Sequence, residues 1–591
     1  MGAIAGIVSR TPWKEEVSDI RKTMRDHSRT QIMRTDTGTF LCSGPLVNLC
    51  RERILNGEKY TLLFSGHIYN EQEIREDMIS SGEEMRKEDT SEMLLHGYVR
   101  FGPEFLKKLR GGFSVAVWEY RKQRLFLGRD QLGIAPLFYS LMGENLIFAS
   151  EIKNILAFPG IKPRLDREGM QELVLLGPGK IPGSGVLKDI RELEPGSWAS
   201  WEAGKLTVRP YWQLKDREHR DSFQDTCEKT AWLVRRSFSR QTEDLKEYGC
   251  FLSGGLDSSI LTALAAEKNP GLETFSVDYQ GNDVNFVPGK FEPGSDGAFI
   301  AEMTKVFPCL HRNIVLTPED LMGNLYEAVM GRDLPGMGDV DASLLAFCRK
   351  VSAFVPAVFS GECADEIFGG YPWFRDPKMQ GEDHFPWAQN TDMRLKLLNH
   401  PMENGEEWVR EHLIGSRRKV DVLPGTDPQE KKYREMTVLN IRWFMQTLMI
   451  RNDAMSARAD LEVRTPFCDV DLLEYVYSIP REMKDYDGRE KGLLRQAFQG
   501  LLPDPVRLRK KSPYPKTFDP HYTELVRKEL QTVLHKDRPI WEIISQKEVI
   551  TMLNEEAEYP WYGQLMRKPQ FMAWLLQVDF WLNQYGITLE I

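Results

Sequence analysis

Ser253-Gly254-Gly255-Leu256-Asp257-Ser258-Ser259 is the stretch on which the reading of this chain turns. Ahead of it, Glu247 to Leu252 is short and mostly apolar, the pattern of a buried strand. Behind it, Ser258 to Lys268 is rich in helix formers. Strand, glycine turn and helix start together make an anion cradle, because glycine lets the backbone approach phosphate oxygens and the first helical N–H groups point at them. Ser253, Ser258 and Ser259 add hydroxyl donors, whereas Asp257 would repel phosphate unless a metal cation lay between them. No Gly-x-x-x-x-Gly-Lys-Ser/Thr run occurs. The nearest approach, Gly177-Pro178-Gly179-Lys180, is followed by Ile181-Pro182 and reads as an ordinary loop.

The run resembles the pyrophosphate loop of the N-type ATP pyrophosphatases, which cut ATP between its α and β phosphates and attach AMP to a carboxylate or similar oxygen. The resemblance implies nucleotide contacts from Leu252, Ser253, Gly254, Gly255, Leu256, Asp257, Ser258 and Ser259.

Composition bounds the rest. A chain of 591 residues should form more than one domain, roughly two to four. Apolar content of 41% and charged content of 28% are ordinary for a soluble globular protein. A net charge of −10 with no basic block argues against nucleic acid as the main partner. Eight cysteines without a Cys-x-x-Cys pair fit neither a zinc site nor a disulfide framework and suggest reduced, mostly buried thiols in a cytoplasmic protein. No apolar run is long enough for a membrane span, and Met1 to Val8 does not read as a signal peptide.

Residues 1 to 205 read as β-rich. Tyr60–Ser65, Phe113–Trp118 and Leu125–Gly128 are strand-like runs, and Glu71–Ser80 and Thr90–Tyr98 look helical. Arg110 to Trp118, Gly128 to Leu137, Gly66 to Asn70 and Phe148 to Ile152 resemble the class II glutamine amidotransferase domain of the asparagine synthetases. That resemblance implies an Ntn-hydrolase-like αββα sandwich. In the family an N-terminal cysteine attacks the amide of glutamine, with its own α-amino group as the base. Here Gly2-Ala3 stands in place of Cys-Gly, Ser65 and His67 replace the Asn and Glu of a glutamine-holding phrase, and Thr90 replaces an aspartate. The front domain is expected to be a non-catalytic scaffold.

Residues 206–225 read as a linker, and 226–591 as alternating strands and helices, the signature of a doubly wound parallel sheet; the resemblance to the N-type ATP pyrophosphatases implies the adenine-nucleotide α-hydrolase-like kind. Ligands on such sheets bind at the carboxyl ends of the strands. Ala357 to Gly370 resembles the second signature loop of the asparagine synthetases, and Arg509 to Lys516 their lysine loop. By that resemblance Val277 contacts adenine, and Ser360 and Gly361 border the nucleotide. Asp365 joins Asp257 on Mg²⁺, Glu362 orients the incoming amine or takes its proton, and Lys511 stabilises charge on the phosphates. Glu366 reads instead as an acidic residue favoured at a helix start. Ala454 stands where asparagine synthetases carry a basic residue.

An adenylating apparatus without an ammonia supply leaves three expectations. The first is a lasso-peptide cyclase, using ATP and Mg²⁺ to join an Asp or Glu side chain of a precursor peptide to the peptide's own N-terminal amine. It would work beside a leader-binding protein and a leader protease. The second is an asparagine synthetase that takes free ammonia, and the third a non-catalytic nucleotide-binding regulator.

Overall fold

The computed structural model describes residues 2–10, 18–25, 29–44, 47–83, 90–288, 294–380, 383–400, 402, 404–555, 561–563 and 566–590. The chain forms two compact units that are not contiguous in sequence. One comprises Met1–Gly169, Ile181–Gln213 and Ile587–Ile591; the other comprises Met170–Lys180 and Leu214–Gly586.

The first unit holds two six-stranded antiparallel sheets. One runs in the order Ile190–Glu192, Phe138–Met142, Asn145–Ala149, Ala3–Val8, Gly38–Ser43, Gln31–Arg34. The other runs Lys205–Pro210, Ser197–Glu202, Arg124–Arg129, Phe113–Glu119, Glu58–Gly66, Val47–Leu55. Ile4, Phe40, Phe148, Leu63, Trp118 and Trp201 from the two sheets fill the layer between them. The opposite face of the second sheet is covered by helices Glu71–Ser80 and Thr90–Phe101, through Ile74, Met78, Met93 and Leu94 on Leu62, Phe64 and Val115. The αββα expectation is met. Both faces of the central strands Glu58–Gly66, Phe113–Glu119 and Arg124–Arg129 are buried, so these read as continuous apolar runs rather than as alternation. Lys205–Pro210, which the sequence suggests is linker, is an edge strand paired antiparallel with Ser197–Glu202. Its polar and apolar residues alternate, but they are largely exposed and run toward the charged stretch that follows, which disguises the strand.

The second unit is built on five parallel strands: β1 (Gly249–Phe251), β2 (Glu273–Tyr279), β3 (Leu310–Leu316), β4 (Ala357–Phe359) and β5 (Glu462–Arg464). Their order is β3-β2-β1-β4-β5. The winding therefore reverses at β1, and the loops leaving β1 and β4 part there to open a crevice. Helices α1 (Leu256–Lys268), α2 (Pro318–Arg332), α3 (Asp339–Val351), α4 (Ala364–Phe368) and α5 (Met445–Arg458) frame it. Leu344, Leu345 and Cys348 of α3 pack with Ala454 and Met455 of α5 and with Phe275 and Val358 of the sheet. Nothing among the described residues forms a helix long and apolar enough to cross a membrane. The seven described cysteines carry no disulfide, and all but Cys309 are buried.

Candidate active site

The turn after β1 is shaped by its glycines. Gly254 has φ +66°, a left-handed conformation open to glycine at little cost. Gly255 precedes α1 with no side chain capping the helix, so the first-turn N–H groups remain available. Ser258 Oγ lies 3.1 Å from Ser253 Oγ and donates to the Gly255 carbonyl at 3.2 Å, which pins the turn. Leu252, Ser253, Gly255, Leu256, Asp257 and Ser258 line one large cleft, together with Val277 of β2 and with Ser360, Gly361, Glu362, Asp365 and Lys511. Two residues expected there are not among those lining it. Gly254 backs onto Phe299, where a Cβ would approach its Cβ to 2.6 Å. Ser259 is fully buried, because the helical period turns it away from its neighbour Ser258.

Opposite the turn, Asp365 is the second residue of α4. The electrostatic centre is a lysine that sequence patterning does not single out. Lys491 Nζ lies 2.5 Å from Asp257 Oδ2 and 2.5 Å from Asp365 Oδ1, while Lys511 Nζ lies 2.7 Å from Asp365 Oδ2. Burial would push the Asp365 carboxyl up, but Lys491 and Lys511 outweigh it and hold the group at about 2. Asp257 goes the other way: burial, with repulsion from Asp365, raises it despite Lys491. Lys511 is raised, burial being outweighed by Asp365 and Asp257. The cluster is tight enough to forbid a side chain at residue 370, where a Cβ would fall 1.8 Å from Asp365 Oδ1.

Asp257 Oδ1 is buried without a hydrogen-bond partner, so one carboxylate oxygen is free to ligate a cation. Among the described residues no third acidic, histidine or cysteine ligand joins the pair. Two carboxylates suit Mg²⁺, which keeps waters and takes its other ligands from substrate phosphates.

Further partners come from distant segments. Arg509 donates to the Ser253 carbonyl at 2.8 Å and pairs with Asp296 at 2.5 Å. Glu490 accepts from the Lys511 backbone N–H at 3.0 Å, fixing the lysine loop. Glu366 differs from its expected role at a helix start: it is buried, lines the cleft and accepts from Tyr371 Oη at 2.7 Å. Burial, then Asp365 and Glu362, raise it to about 8. Glu362 pairs with Arg451 of α5 at 3.3 Å. Met337, Leu344, Tyr371, Phe444 and Leu448 supply apolar wall. Phe444 ends a π-helical turn, Asn440–Phe444, that leads into α5, a distortion frequent at functional sites.

In the first unit, the positions at which the resemblance implies a glutamine pocket are engaged in contacts within the unit. The Ser65 hydroxyl donates to the Gly2 carbonyl at 2.8 Å, and Thr90 Oγ1 donates to Glu71 at 2.7 Å. Cys42 faces the core between the sheets, opposite Ile4 in the strand register.

A sandwich of the amidotransferase type and a nucleotide-binding parallel sheet on one chain define the class of ATP-dependent ligases that join carbon to nitrogen. The asparagine synthase family profile matches residues 229–583, and a glutamine amidotransferase domain profile matches residues 10–212. Asparagine synthetase [glutamine-hydrolyzing] 3 of Bacillus subtilis (strain 168) is 41% identical, over 90% of this chain and 89% of its own. Asparagine synthetase [glutamine-hydrolyzing] 1 of the same organism is 27% identical, over 78% of this chain and 76% of its own. Amidase chry2 of Gibberella zeae is 25% identical, over 73% of each chain. The chain belongs to the asparagine synthetase family of ATP-dependent carbon–nitrogen ligases.

Proposed function

We propose that the protein activates an Asp or Glu side-chain carboxylate of a peptide as its acyl-adenylate and joins it to the peptide's N-terminal amine, the macrolactam-forming reaction of lasso-peptide cyclases. The observation that carries this reading is the altered glutamine pocket. Gly2-Ala3 offers no nucleophile, and Ser65 and Thr90 engage Gly2 and Glu71 instead. The amine then comes from a source other than glutamine. The apolar wall of Met337, Leu344, Phe444 and Leu448 supports a peptide acceptor. A free amino acid would need charged partners for its α-ammonium and α-carboxylate groups when desolvated, whereas Arg451 on the same helix as Leu448 is already paired with Glu362.

In this reading the turn from Leu252 to Ser258 cradles the phosphates, Val277 faces adenine, and Ser360 and Gly361 border the nucleotide. Asp257 and Asp365 hold Mg²⁺, which when bound neutralises the departing pyrophosphate. Lys491 and Lys511 present fixed cations to charge that grows at the α-phosphate. Glu362 orients the amine and takes its proton as the amide forms. A leader-binding protein and a leader protease would deliver the trimmed peptide. The 41% identical relative, by its name a glutamine-hydrolyzing asparagine synthetase, favours a second reading in which asparagine is made, with free ammonia in place of glutamine because Gly2-Ala3 offers no nucleophile.

With ATP and Mg²⁺, the protein is expected to release AMP and pyrophosphate in the presence of a short leader-free peptide and to yield a product lighter by one water, read by mass spectrometry. Efficient turnover of aspartate with ammonium, and none of any peptide, would transfer the assignment to the second reading.

A further inference from the structure

Lys491 and Lys511 reach Asp365 from separate segments of the chain, yet one side chain joins the two segments. Glu490 precedes Lys491 in sequence, and its Oε1 accepts from the Lys511 backbone N–H at 3.0 Å. The same oxygen lies 2.8 Å from Arg495 Nη2. Arg495 turns back with Nε to the Glu490 carbonyl at 2.8 Å, and its Nη1 donates to the Arg507 carbonyl, just ahead of the lysine loop. Arg495 is buried and belongs to the short helix Gly492–Ala497 that follows Lys491. One carboxylate oxygen and one guanidinium thus lace the two lysine-bearing segments together.

The turn that presents Lys491 is itself constrained. Lys491 has φ +56° and ψ +31°, the left-handed region that non-glycine residues enter at a cost and that clusters at functional sites. Next to it, Gly492 packs on Tyr486, whose carbonyl oxygen would stand 2.2 Å from a Cβ. Lys491 is 2% exposed, so solvent does little to loosen its ammonium from the two aspartates. The lysine loop is tied elsewhere as well: Tyr279 Oη, at the end of β2, donates to the Pro515 carbonyl at 3.0 Å, and Arg509 donates to the Ser253 carbonyl at 2.8 Å. Those ties fix the loop to the sheet and to the glycine turn. Its tie to the Lys491 turn is made by Glu490 and Arg495.

We propose that Glu490 is a positioning residue for adenylation: its carboxylate oxygen fixes Lys511 relative to Lys491, so that the two cations meet the charge growing on the phosphates as one rigid fork. Neither lysine then has to rearrange as pyrophosphate leaves, the condition under which fixed charge is most effective. This inference rests on the assignment of the two lysines to the adenylation step, which the peptide and the asparagine readings share.

The test sets reach against charge. ATP–pyrophosphate exchange is followed with the carboxylate substrate, peptide or aspartate, that the wild type activates. Glu490→Asp keeps the charge beside Arg495 but withdraws the carboxylate from the Lys511 N–H. Its kcat for exchange is expected to fall ~10- to 100-fold with the KM for ATP within about threefold, as for a small misplacement of a reacting group. Glu490→Gln gives up the charge but keeps an accepting oxygen at the same reach, and should stay within about threefold of wild type. Thermal unfolding of both variants should be near normal, since each leaves Arg495 a polar partner. A merely structural ion pair would give the opposite order, with Gln the worse in exchange and in unfolding, and that order overturns the proposal. So does wild-type exchange in Glu490→Asp. In a Lys511→Met background, Glu490→Asp should cost little more, because the lysine it places is gone; full additivity overturns the positioning role. If Lys511→Met alone leaves exchange intact, the assignment of Lys511 fails and the inference fails with it.

Discussion

The two units of this chain keep the framework of one enzyme family but differ in what they keep of its chemistry. In the sandwich the apolar layers are intact: Trp118, Trp201 and Phe148 are all but fully buried, and the strand registers are regular through Ala3–Val8. Gly2 and Ala3 stand where the resemblance puts the Cys-Gly that frees ammonia, and the Ser65 hydroxyl donates to the Gly2 carbonyl. In the doubly wound unit the reverse holds for the cleft. Asp257, Asp365, Lys491 and Lys511 form a closed cluster of buried charge that would be costly to retain if nothing used it. A fold persists because many apolar contacts share its stability, whereas a reaction rests on a few atoms and disappears with them.

The sharpest way to break the comparison is at Lys491. Replacing it by Met leaves Asp257 and Asp365 facing each other without their shared cation. ATP-dependent AMP release is expected to fall by ~10³-fold or more, as for loss of a principal charge-stabilising group. Circular dichroism should still show a folded protein, and wild-type turnover in a folded variant would empty the cluster of its role. Next in size is Trp118→Ala, which removes a fully buried ring from between the sheets. It should cost about 3–5 kcal/mol of stability, measured by denaturant unfolding, if the sandwich is retained as a packed scaffold. The smallest effect is expected from Gly2→Cys. With Ser65, His67 and Thr90 unchanged, no glutamine-dependent glutamate release should appear. Its appearance would mean that a single residue separates the two states of the pocket.

How much of this was legible differs by region for a physical reason. The turn at 252–259 and the loop at 360–365 are contiguous, so strand, glycine and helix start could be recognised from neighbours alone, and all but Gly254, Ser259 and Ala364 line the cleft. The helices from Glu71 and Thr90 were equally readable, since helical pattern is local. The edge strand Lys205–Pro210 was not: although Leu206 and Val208 alternate with Lys205, Thr207 and Arg209, it is short, largely exposed and followed by a charged run that reads as linker. The assignment of Met170–Lys180 to the second unit was also invisible in sequence. Glu366 misled in another way: an acid in a first helical turn is usually solvated, and only packing against Tyr371 makes it a buried wall of the cleft.

By itself the sequence determined the family and the two-layer and parallel-sheet architectures, and it located the glycine turn and the Gly2-Ala3 replacement, all carried by short contiguous phrases. The tertiary structure alone decided that Lys491 bridges the two aspartates. It also decided that Arg509 braces the turn and that Arg451 pairs with Glu362. Those groups lie tens to hundreds of residues apart. A charge leaves no periodic trace in its own segment, and its partner is chosen only when helices and strands pack and exclude water between them.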